Sequence, residues 1–141
     1  MTRQFIGTCV IVLDKRQTKL LLGKRINAYK AGMYGLPGGR VSYTELLTDG
    51  AIREFAEETG LQAKELTYVG VVREKQEGYS FIHFAFVCKT YQGTLEMKEP
   101  EKCEKWEWFS FNSLPENILP GHKAAIEMFL TKNGFPLKDL I

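Results

Sequence analysis

Three glutamates are the residues in this sequence whose types and spacing best suit chemistry. Glu54, Glu57 and Glu58 stand at positions i, i+3 and i+4 of a predicted helix, a spacing that stacks their carboxylates on one helix face. Like charges so placed repel, and a divalent cation among them relieves the repulsion. Mg²⁺ prefers a few carboxylate oxygens completed by water and phosphate oxygens. The spacing favours a magnesium site, although an E-x-x-E-E pattern alone also fits an acidic, solvated helix face.

The residues upstream favour the metal site over the solvated face. Gly38 and Gly39 follow Pro37 and lack side chains, so backbone carbonyls and amides there can approach a metal ion or a phosphate closely. Glu45 and Arg53 are separated by about two helical turns, so they can share a face of the helix. We expect Arg53 to tether a carboxylate and to hold the acidic helix against the glycine loop.

Strands and helices must position these groups, and the apolar patterning predicts both. Residues 45–59 are predicted to form a helix with Ser42 or Thr44 as its N-cap and Gly60 as its stop, and residues 119–132 a second amphipathic helix. Strands are predicted over 5–13, 19–25, 66–73, 79–89 and 106–109. Because strands and helices do not alternate strictly, we expect an α+β fold, an α/β/α sandwich with a mixed central sheet.

Several of these elements carry a packing prediction. The first two strands should form a hairpin, and the strand over 79–89 has the nearly unbroken apolar run of a central strand buried on both faces. A loop is expected over 27–39 and a polar connection over 91–105. The predicted inward positions of the two helices are Leu47, Ala51, Ile52, Phe55, Ala56, Ile126, Phe129 and Leu130.

Size and charge limit the class of protein. The 141 residues fit one domain over 1–141. With 19 basic and 17 acidic side chains, the net charge of +2 argues against a nucleic-acid polymer or an anionic membrane as partner. The three cysteines form no CxxC pair, which fits a reducing compartment, and no apolar stretch approaches the ~20 residues of a spanning helix. We therefore expect a cytoplasmic protein.

The sequence around the glutamates resembles the Nudix signature: a glycine, five residues, a glutamate, seven residues, and then R-E-U-x-E-E-x-G-U, with U a bulky aliphatic residue. This chain has Gly39, Glu45 and REFAEETGL over 53–61, with both gaps of the right length. Seven fixed residue types coincide by chance at about one in 10⁸ starting points. The one departure is Phe55 at an aliphatic position, which we do not expect to abolish metal binding. EPEKCEKWEWF and Gly134-Phe135-Pro136 further resemble a MutT-like subgroup.

This resemblance implies a fold, a cofactor and a reaction. The acidic helix should pack within a loop–helix–loop, and Mg²⁺ should be the cofactor, with Mn²⁺ as a substitute. The implied activity is hydrolysis of nucleoside triphosphates, namely dNTPs or oxidised purine dNTPs such as 8-oxo-dGTP, to the monophosphate and diphosphate, in the service of nucleotide-pool sanitation. The subgroup also implies a homodimer.

Other nucleotide functions stay open within the same resemblance. Tyr79 falls where the dinucleoside polyphosphate hydrolases of the family carry a tyrosine, whereas Gln76 replaces the proline typical of its ADP-ribose hydrolases. A Nudix module that binds a nucleotide without cutting it is a further alternative, because fold alone does not establish activity. The complete set of signature glutamates argues against that module.

The resemblance assigns the metal to the acidic helix and the glycine loop. Glu54, Glu57 and Glu58 are expected to bind Mg²⁺, helped by a backbone carbonyl of Gly38 or Gly39. The resemblance implies that the metal would bridge and neutralise phosphate oxygens while a carboxylate orients or deprotonates the attacking water. Glu54 is our first choice for that base.

Further roles follow around this centre. Some family members take the base from a later loop, and here the loop over 99–104 offers Glu101, with Glu104 behind it. Arg25 is expected to reach the terminal phosphates. Glu45 and Arg53 are expected to support the catalytic helix rather than to react.

Aromatic and apolar residues are the candidates for the base site. The expected walls of the base pocket are Leu36, Phe84, Trp106 and Trp108, since aromatic stacking holds a purine with little discrimination. His83 lies within an apolar run, and we interpret it as a core or cross-strand histidine rather than a catalyst.

Overall fold

The structure is a computed structural model that describes residues 3–26, 30–132 and 137–140. Its strands are β1 (Arg3–Val12), β2 (Lys19–Arg25), β3 (Tyr34–Gly35), β4 (Gly38–Arg40), β5 (Gln62–Gln76), β6 (Tyr79–Gln92), β7 (Cys103–Ser110) and β8 (Leu137–Leu140), and its helices are α1 (Leu47–Thr59) and α2 (Pro120–Thr131). Asn27, in the predicted loop, and Gly134-Phe135-Pro136 lie outside the described residues. Neither helix of the described chain has the length and apolar character needed to cross a bilayer.

The strands form two sheets. The larger sheet is mixed, with the order β4-β1-β6-β5-β8; its pairs β1–β6 and β5–β8 are parallel and its other pairs antiparallel. The smaller sheet is antiparallel, with the order β3-β2-β7. The apolar strand β6 lies at the centre of the larger sheet with residues 85–88 buried, as its sequence predicts.

The predicted hairpin of the first two strands is wrong in its pairing. β1 and β2 meet at one bridge, between Leu13 and Leu20, and then enter different sheets. The Asp14 carboxylate stabilises the turn between them by accepting hydrogen bonds from the N–H groups of Thr18 and Lys19, each at 2.9 Å. Instead, β1 lies inside the larger sheet and pairs with β4 along one edge and with β6 along the other. Its residues 7–12 are accordingly all buried.

The two helices cover opposite faces of the larger sheet, which confirms the α/β/α sandwich. Successive β1 side chains point to opposite faces, so one strand supplies both cores. The core on the α1 face includes Val10, Val12, Phe86, Ala51 and Phe55. The core on the α2 face includes Cys9, Ile11, Ala85, Ala125 and Ile126.

The boundaries of α1 differ from the prediction at its start. The helix begins two residues late, and neither Ser42 nor Thr44 caps it; Leu46 is at the N-cap position and forms no side-chain cap bond. The Glu45 carboxylate instead folds back to accept a hydrogen bond of 2.7 Å from the Ser42 N–H. Gly60 ends the helix in the left-handed region at φ 76°, as predicted.

The predicted inner faces of the helices are largely right. Ala51 and Phe55 of α1 are fully buried, and Ile126 of α2 is 1% exposed. Leu130 is 39% exposed, so its predicted inward position is wrong. The buried face of α2 is centred near Ala125, and at about 100° per residue Leu130 falls well outside that arc.

Candidate active site

Two glycines bring the backbone of β4 against the acidic face of α1. A Cβ on Gly38 would overlap the carbonyl oxygen of Thr8, and a Cβ on Gly39 would lie 2.6 Å from the carboxylate of Glu54. The Gly38 N–H donates a hydrogen bond of 2.6 Å to Oε1 of Glu58. Residues without a side chain permit this approach. The predicted contact between the acidic helix and the glycine bend is therefore confirmed.

Arg53 ties the acidic face together. Its Nη2 and Nε donate to the two carboxylate oxygens of Glu45 at 2.7 and 3.0 Å, and its Nη1 donates to Glu54 at 3.0 Å and Glu57 at 3.2 Å. Nη2 also donates to the Arg40 carbonyl oxygen in β4 at 3.1 Å. The hydrogen bonds from Arg53 hold the pKa of Glu45 at about 2. Arg53 therefore tethers α1 to the glycine bend, as expected, through the planar fork that arginine alone offers.

The electrostatics of Glu58 favour a positive charge beside it. Burial raises the pKa of its carboxyl to about 8, and the charges of Glu54 and Glu99 act in the same direction, against the Gly38 N–H and Arg25. Neighbouring negative charges disfavour the ionised form of Glu58. A cation between Glu54 and Glu58 has the opposite charge and would favour that form.

The donors at this point fit a magnesium ion. Glu58 is hydrogen-bonded directly to the Gly38 N–H, and the Glu54 carboxylate lies against Gly39, where a Cβ would contact it. Glu57 is 52% exposed and turned to Arg53. Within the described residues, no three His, Cys, Asp or Glu side chains converge as a ready-made metal cage. Mg²⁺ is commonly held by one or two carboxylates with water and phosphate oxygens, so the arrangement suits it better than a metal that needs a closed protein shell.

The loop carboxylate that borders this cluster is Glu99, whereas Glu101, the loop residue expected from the sequence, lines neither cavity. Glu99 lines a cavity of about 50 Å³ together with Glu58, and its negative charge contributes to the raised pKa of Glu58. Glu101 and Glu104 are exposed to solvent. Backbone hydrogen bonds close a tight turn over 99–103 and place Glu101 near its apex.

Arg25 lies where a residue that reaches phosphates is expected. It ends β2, and the pairing of β2 with β7 is irregular between Gly23 and Arg25. Such a bulge changes the direction of a side chain. Arg25 borders the small cavity beside Glu58 and also a larger one.

The larger cavity has a volume of about 400 Å³ and lies between the larger sheet and α2. Its walls include Phe5 of β1, Glu74 and Gln76 of β5, Tyr79, Phe81 and His83 of β6, and His122 of α2. Leu36 lines it too, as expected, and Gly38, Gly39 and Glu58 form one end. A concave site of this volume with aromatic walls and a few polar groups is typical of small-molecule binding.

Phe84, Trp106 and Trp108, the other three expected walls, do not line this cavity. Phe84 follows His83 on β6, so strand alternation turns it to the α1 face of the sheet. There it packs in the same core as Trp106 and Trp108 of β7. The Nε1–H of Trp106 donates to the carbonyl oxygen of Glu58 at 3.1 Å and so supports the end of α1.

The two histidines of the chain lie together in the cavity wall. His83 is 8% exposed, its ring stacks on Phe81 at 4.4 Å, and its Nε2 lies 3.4 Å from Oε1 of Glu74, which confirms the cross-strand interpretation. His122 accepts a 2.9 Å hydrogen bond from the Leu36 N–H at Nδ1. Burial holds the pKa of His122 well below its ordinary value, so the ring is neutral and carries its proton on Nε2.

Sequence reasoning missed the polar side chains Glu74 and Gln76 of the cavity. The turn over 77–78, with Gly78 at φ 84°, joins β5 and β6 by two residues and pairs Gln76 with Tyr79. That register puts alternate residues of both strands on one face. The turn was therefore a readable signal for which side chains share the cavity.

Comparison with known proteins decides the family of this site. A model described as the NUDIX domain matches residues 3–129. The chain belongs to the NUDIX family. Its fold is similar to that of a MutT NUDIX hydrolase from Burkholderia pseudomallei, with a TM-score of 0.84 and 27% identity over 89% of this chain and 97% of that one.

Curated relatives carry the names of several diphosphate hydrolases. The chain is 32% identical to a putative 8-oxo-dGTP diphosphatase of Bacillus subtilis over 91% of its own length and 80% of the relative, and 30% identical to an ADP-ribose pyrophosphatase of Methanocaldococcus jannaschii over 85% and 71%. It is 31% identical to the NAD-capped RNA hydrolase NudC of Edwardsiella ictaluri, of which it spans 42%. The chain is thus a Nudix hydrolase with pyrophosphohydrolase activity.

Proposed function

We propose that this Nudix hydrolase converts nucleoside triphosphates, in particular dNTPs or oxidised purine dNTPs such as 8-oxo-dGTP, to the monophosphate and diphosphate with Mg²⁺. The observation that carries the proposal is the Glu58 carboxylate, bound to the Gly38 N–H and facing Glu54, at one end of a cavity of about 400 Å³. An acidic end that accepts a cation, next to aromatic walls, matches a phosphate chain attached to a flat base. The corresponding role is nucleotide-pool sanitation by one cytoplasmic domain over 1–141.

Glu54, Glu58 and the backbone of Gly38 and Gly39 would hold the Mg²⁺, and Glu57 would join them on release from Arg53. Mn²⁺ would substitute, since it accepts the same oxygen donors. When bound, the ion neutralises charge on the phosphate oxygens and on the departing diphosphate.

The remaining chemistry falls to side chains around the acidic helix. Arg25 lines both cavities and would bind the phosphate chain there. A water oxygen forms a bond to phosphorus while the bond from phosphorus to the diphosphate oxygen breaks, and the water proton passes to a carboxylate. Glu54 is our first choice for that base, because Arg53 and Gly39 fix its position. Glu99 takes the place of Glu101 as the loop alternative.

The triphosphate substrate has the support of the relative named putative 8-oxo-dGTP diphosphatase, which aligns with 91% of this chain. A second candidate is the diphosphate linkage of dinucleoside polyphosphates. The observation that favours it is Tyr79 in the cavity wall, 6.1 Å from the ring of Phe5, where a second base could stack.

Product analysis tests the proposed function. The chain is incubated with Mg²⁺ and the four dNTPs, 8-oxo-dGTP, diadenosine tetraphosphate or ADP-ribose, and the products are separated by ion-exchange chromatography. We expect monophosphate and diphosphate from dNTPs, loss of turnover in Glu58→Gln, and wild-type turnover in Glu127→Gln, a matched change of an exposed glutamate of α2. Turnover that is independent of Mg²⁺, or unaffected in Glu58→Gln, contradicts the proposal. Slower cleavage of 8-oxo-dGTP than of every ordinary dNTP would exclude the oxidised-base preference. Light scattering tests the homodimer that the subgroup implies.

A further inference from the structure

We propose that the Glu74 carboxylate, held by Gln76 and His83, selects a guanine-type base by accepting the two adjacent N–H groups of its Watson–Crick edge. The inference rests on the proposed nucleotide substrate and names the base that the cavity takes.

The carboxylate has a fixed position inside the cavity. Glu74 has a side chain 13% exposed and lines the cavity wall. Its Oε2 accepts a 2.8 Å hydrogen bond from Nε2 of Gln76, and its Oε1 lies 3.4 Å from Nε2 of His83. A Cβ on Gly121 would lie 2.7 Å from Oε1 of Glu74, so the carboxylate packs against the first turn of α2. The N-terminal end of a helix favours a negative charge there.

The carboxylate is an acceptor in its resting state. The hydrogen bond from His83 lowers the pKa of Glu74, and Gln76 and Lys30 act in the same direction, against the opposing effect of burial. An ionised carboxylate accepts at about four lone-pair positions and donates at none, and two of these positions face Gln76 and His83. A ligand edge placed against Glu74 must therefore present N–H or O–H donors.

Guanine is the common base whose edge meets this demand. Its N1–H and 2-amino group are adjacent donors that can bind both oxygens of one carboxylate. Adenine and cytosine each place a ring-nitrogen acceptor beside their amino group, and uracil and thymine place one N–H between two carbonyl oxygens. Oxidation at C8 leaves the guanine edge unchanged. The neutral ring of His122, with its proton on Nε2, adds a donor to the same cavity for the guanine O6.

The distance between the two ends of the cavity suits a nucleotide. Glu74 lies opposite Phe81 in the sheet, and Phe81 lies opposite Phe5 of β1. Gly38 lies opposite Cys9, four residues further along β1. At about 3.3 Å per residue and about 4.8 Å between strands, the Cα atoms of Glu74 and Gly38 are offset by about 13 Å along the strands and by three strand spacings, about 14 Å, across them. Glu74 and Glu58 nevertheless line the same cavity, so a nucleotide bound in it can meet both carboxylates.

A pair of substrates and a pair of proteins test this assignment. The value of kcat/KM is measured for dGTP and dITP, which lacks the 2-amino group, and for dATP, with the wild-type chain and Glu74→Gln. We expect the wild type to prefer dGTP over dATP by at least about tenfold, with dITP between them, and Glu74→Gln to lose about ten- to a hundredfold on dGTP, mainly through KM. It should lose less on dITP and gain on dATP, because an amide offers the acceptor and donor that adenine requires. Glu65→Gln, an exposed glutamate of the same strand, is the matched control.

The outcomes separate this inference from the proposed function. Equal wild-type kcat/KM values for dGTP, dITP and dATP overturn the base assignment and leave the hydrolase intact, and this comparison needs no variant to fold. Equal losses on all three substrates in Glu74→Gln also overturn it. If no nucleotide is cleaved, the proposed function fails, and calorimetric binding of dGMP, dIMP and dAMP without Mg²⁺ decides the base preference by itself. Equal affinities for the three monophosphates would then refute it.

Discussion

Replacing Gly39 by alanine should separate catalysis from stability. The new Cβ would lie 2.6 Å from the Glu54 carboxylate, whereas ordinary contact begins at 3.4 Å, so the carboxylate must move by at least about 0.8 Å. A misplacement of about 1 Å costs on the order of 100-fold in rate, equivalent to about 2.7 kcal/mol of activation free energy. The displaced group is the end of a flexible side chain, and Gly39 does not have a positive φ. We therefore expect the free energy of unfolding to change by less than about 1 kcal/mol.

The assay compares kcat at saturating Mg²⁺ with the midpoint of urea unfolding. Gly38→Ala is the contrast, because its Cβ would overlap the backbone carbonyl oxygen of Thr8, which cannot rotate away. We expect Gly38→Ala to lose stability by more than about 2 kcal/mol as well as activity. Wild-type kcat in a folded Gly39→Ala variant would refute the reasoning, and so would equal destabilisation of the two variants.

Three further predictions follow from the same contacts. Glu99→Gln should lower kcat at least about tenfold and Glu101→Gln less than about twofold, because Glu99 shares a cavity wall with Glu58 and Glu101 is exposed. The reverse order in steady-state assays would favour Glu101, the loop base expected from the sequence. In EDTA, the free energy of unfolding should fall as the pH rises from about 4.5 to about 8 and then level off, because the folded state keeps a proton on Glu58 that the unfolded state has released. In urea titrations at several pH values, Glu58→Gln should remove this pH dependence. The same dependence in the variant and the wild type would contradict the raised pKa. Arg53→Lys should lower the free energy of unfolding by about 1 to 2 kcal/mol, a value reduced for the partial exposure of Arg53, since an ammonium cannot bind both oxygens of Glu45; an unchanged urea midpoint would show that this fork is not needed.

Local pattern was enough to predict most elements, because each depends on residues near in sequence. The helix over α1 follows from its apolar period and from Gly60, whose left-handed φ ends it. The central strand β6 follows from its apolar run. The pairing partners of the strands were harder to predict. The first two strands were expected to form a hairpin, but β1 is buried on both faces and pairs with β4 and β6 in the larger sheet. The short strands β3, β4 and β8 carry no periodic signal and form through partners distant in sequence.

The acidic helix face and the glycine bend of the candidate site could be predicted from the sequence alone, because the acidic groups lie on one helix and the glycines on one short loop, both of fixed spacing. Which loop carboxylate faces Glu58, and which aromatic residues line the cavity, was decided by the tertiary structure. A tight turn over 99–103 exposes Glu101 and leaves Glu99 beside Glu58. Because side chains alternate along β6, His83 faces the cavity and Phe84 faces the core on the α1 side. Successive side chains of a strand point to opposite faces of the sheet. Which face lines the ligand cavity depends on which helix packs against each face, and this is decided only in the tertiary structure.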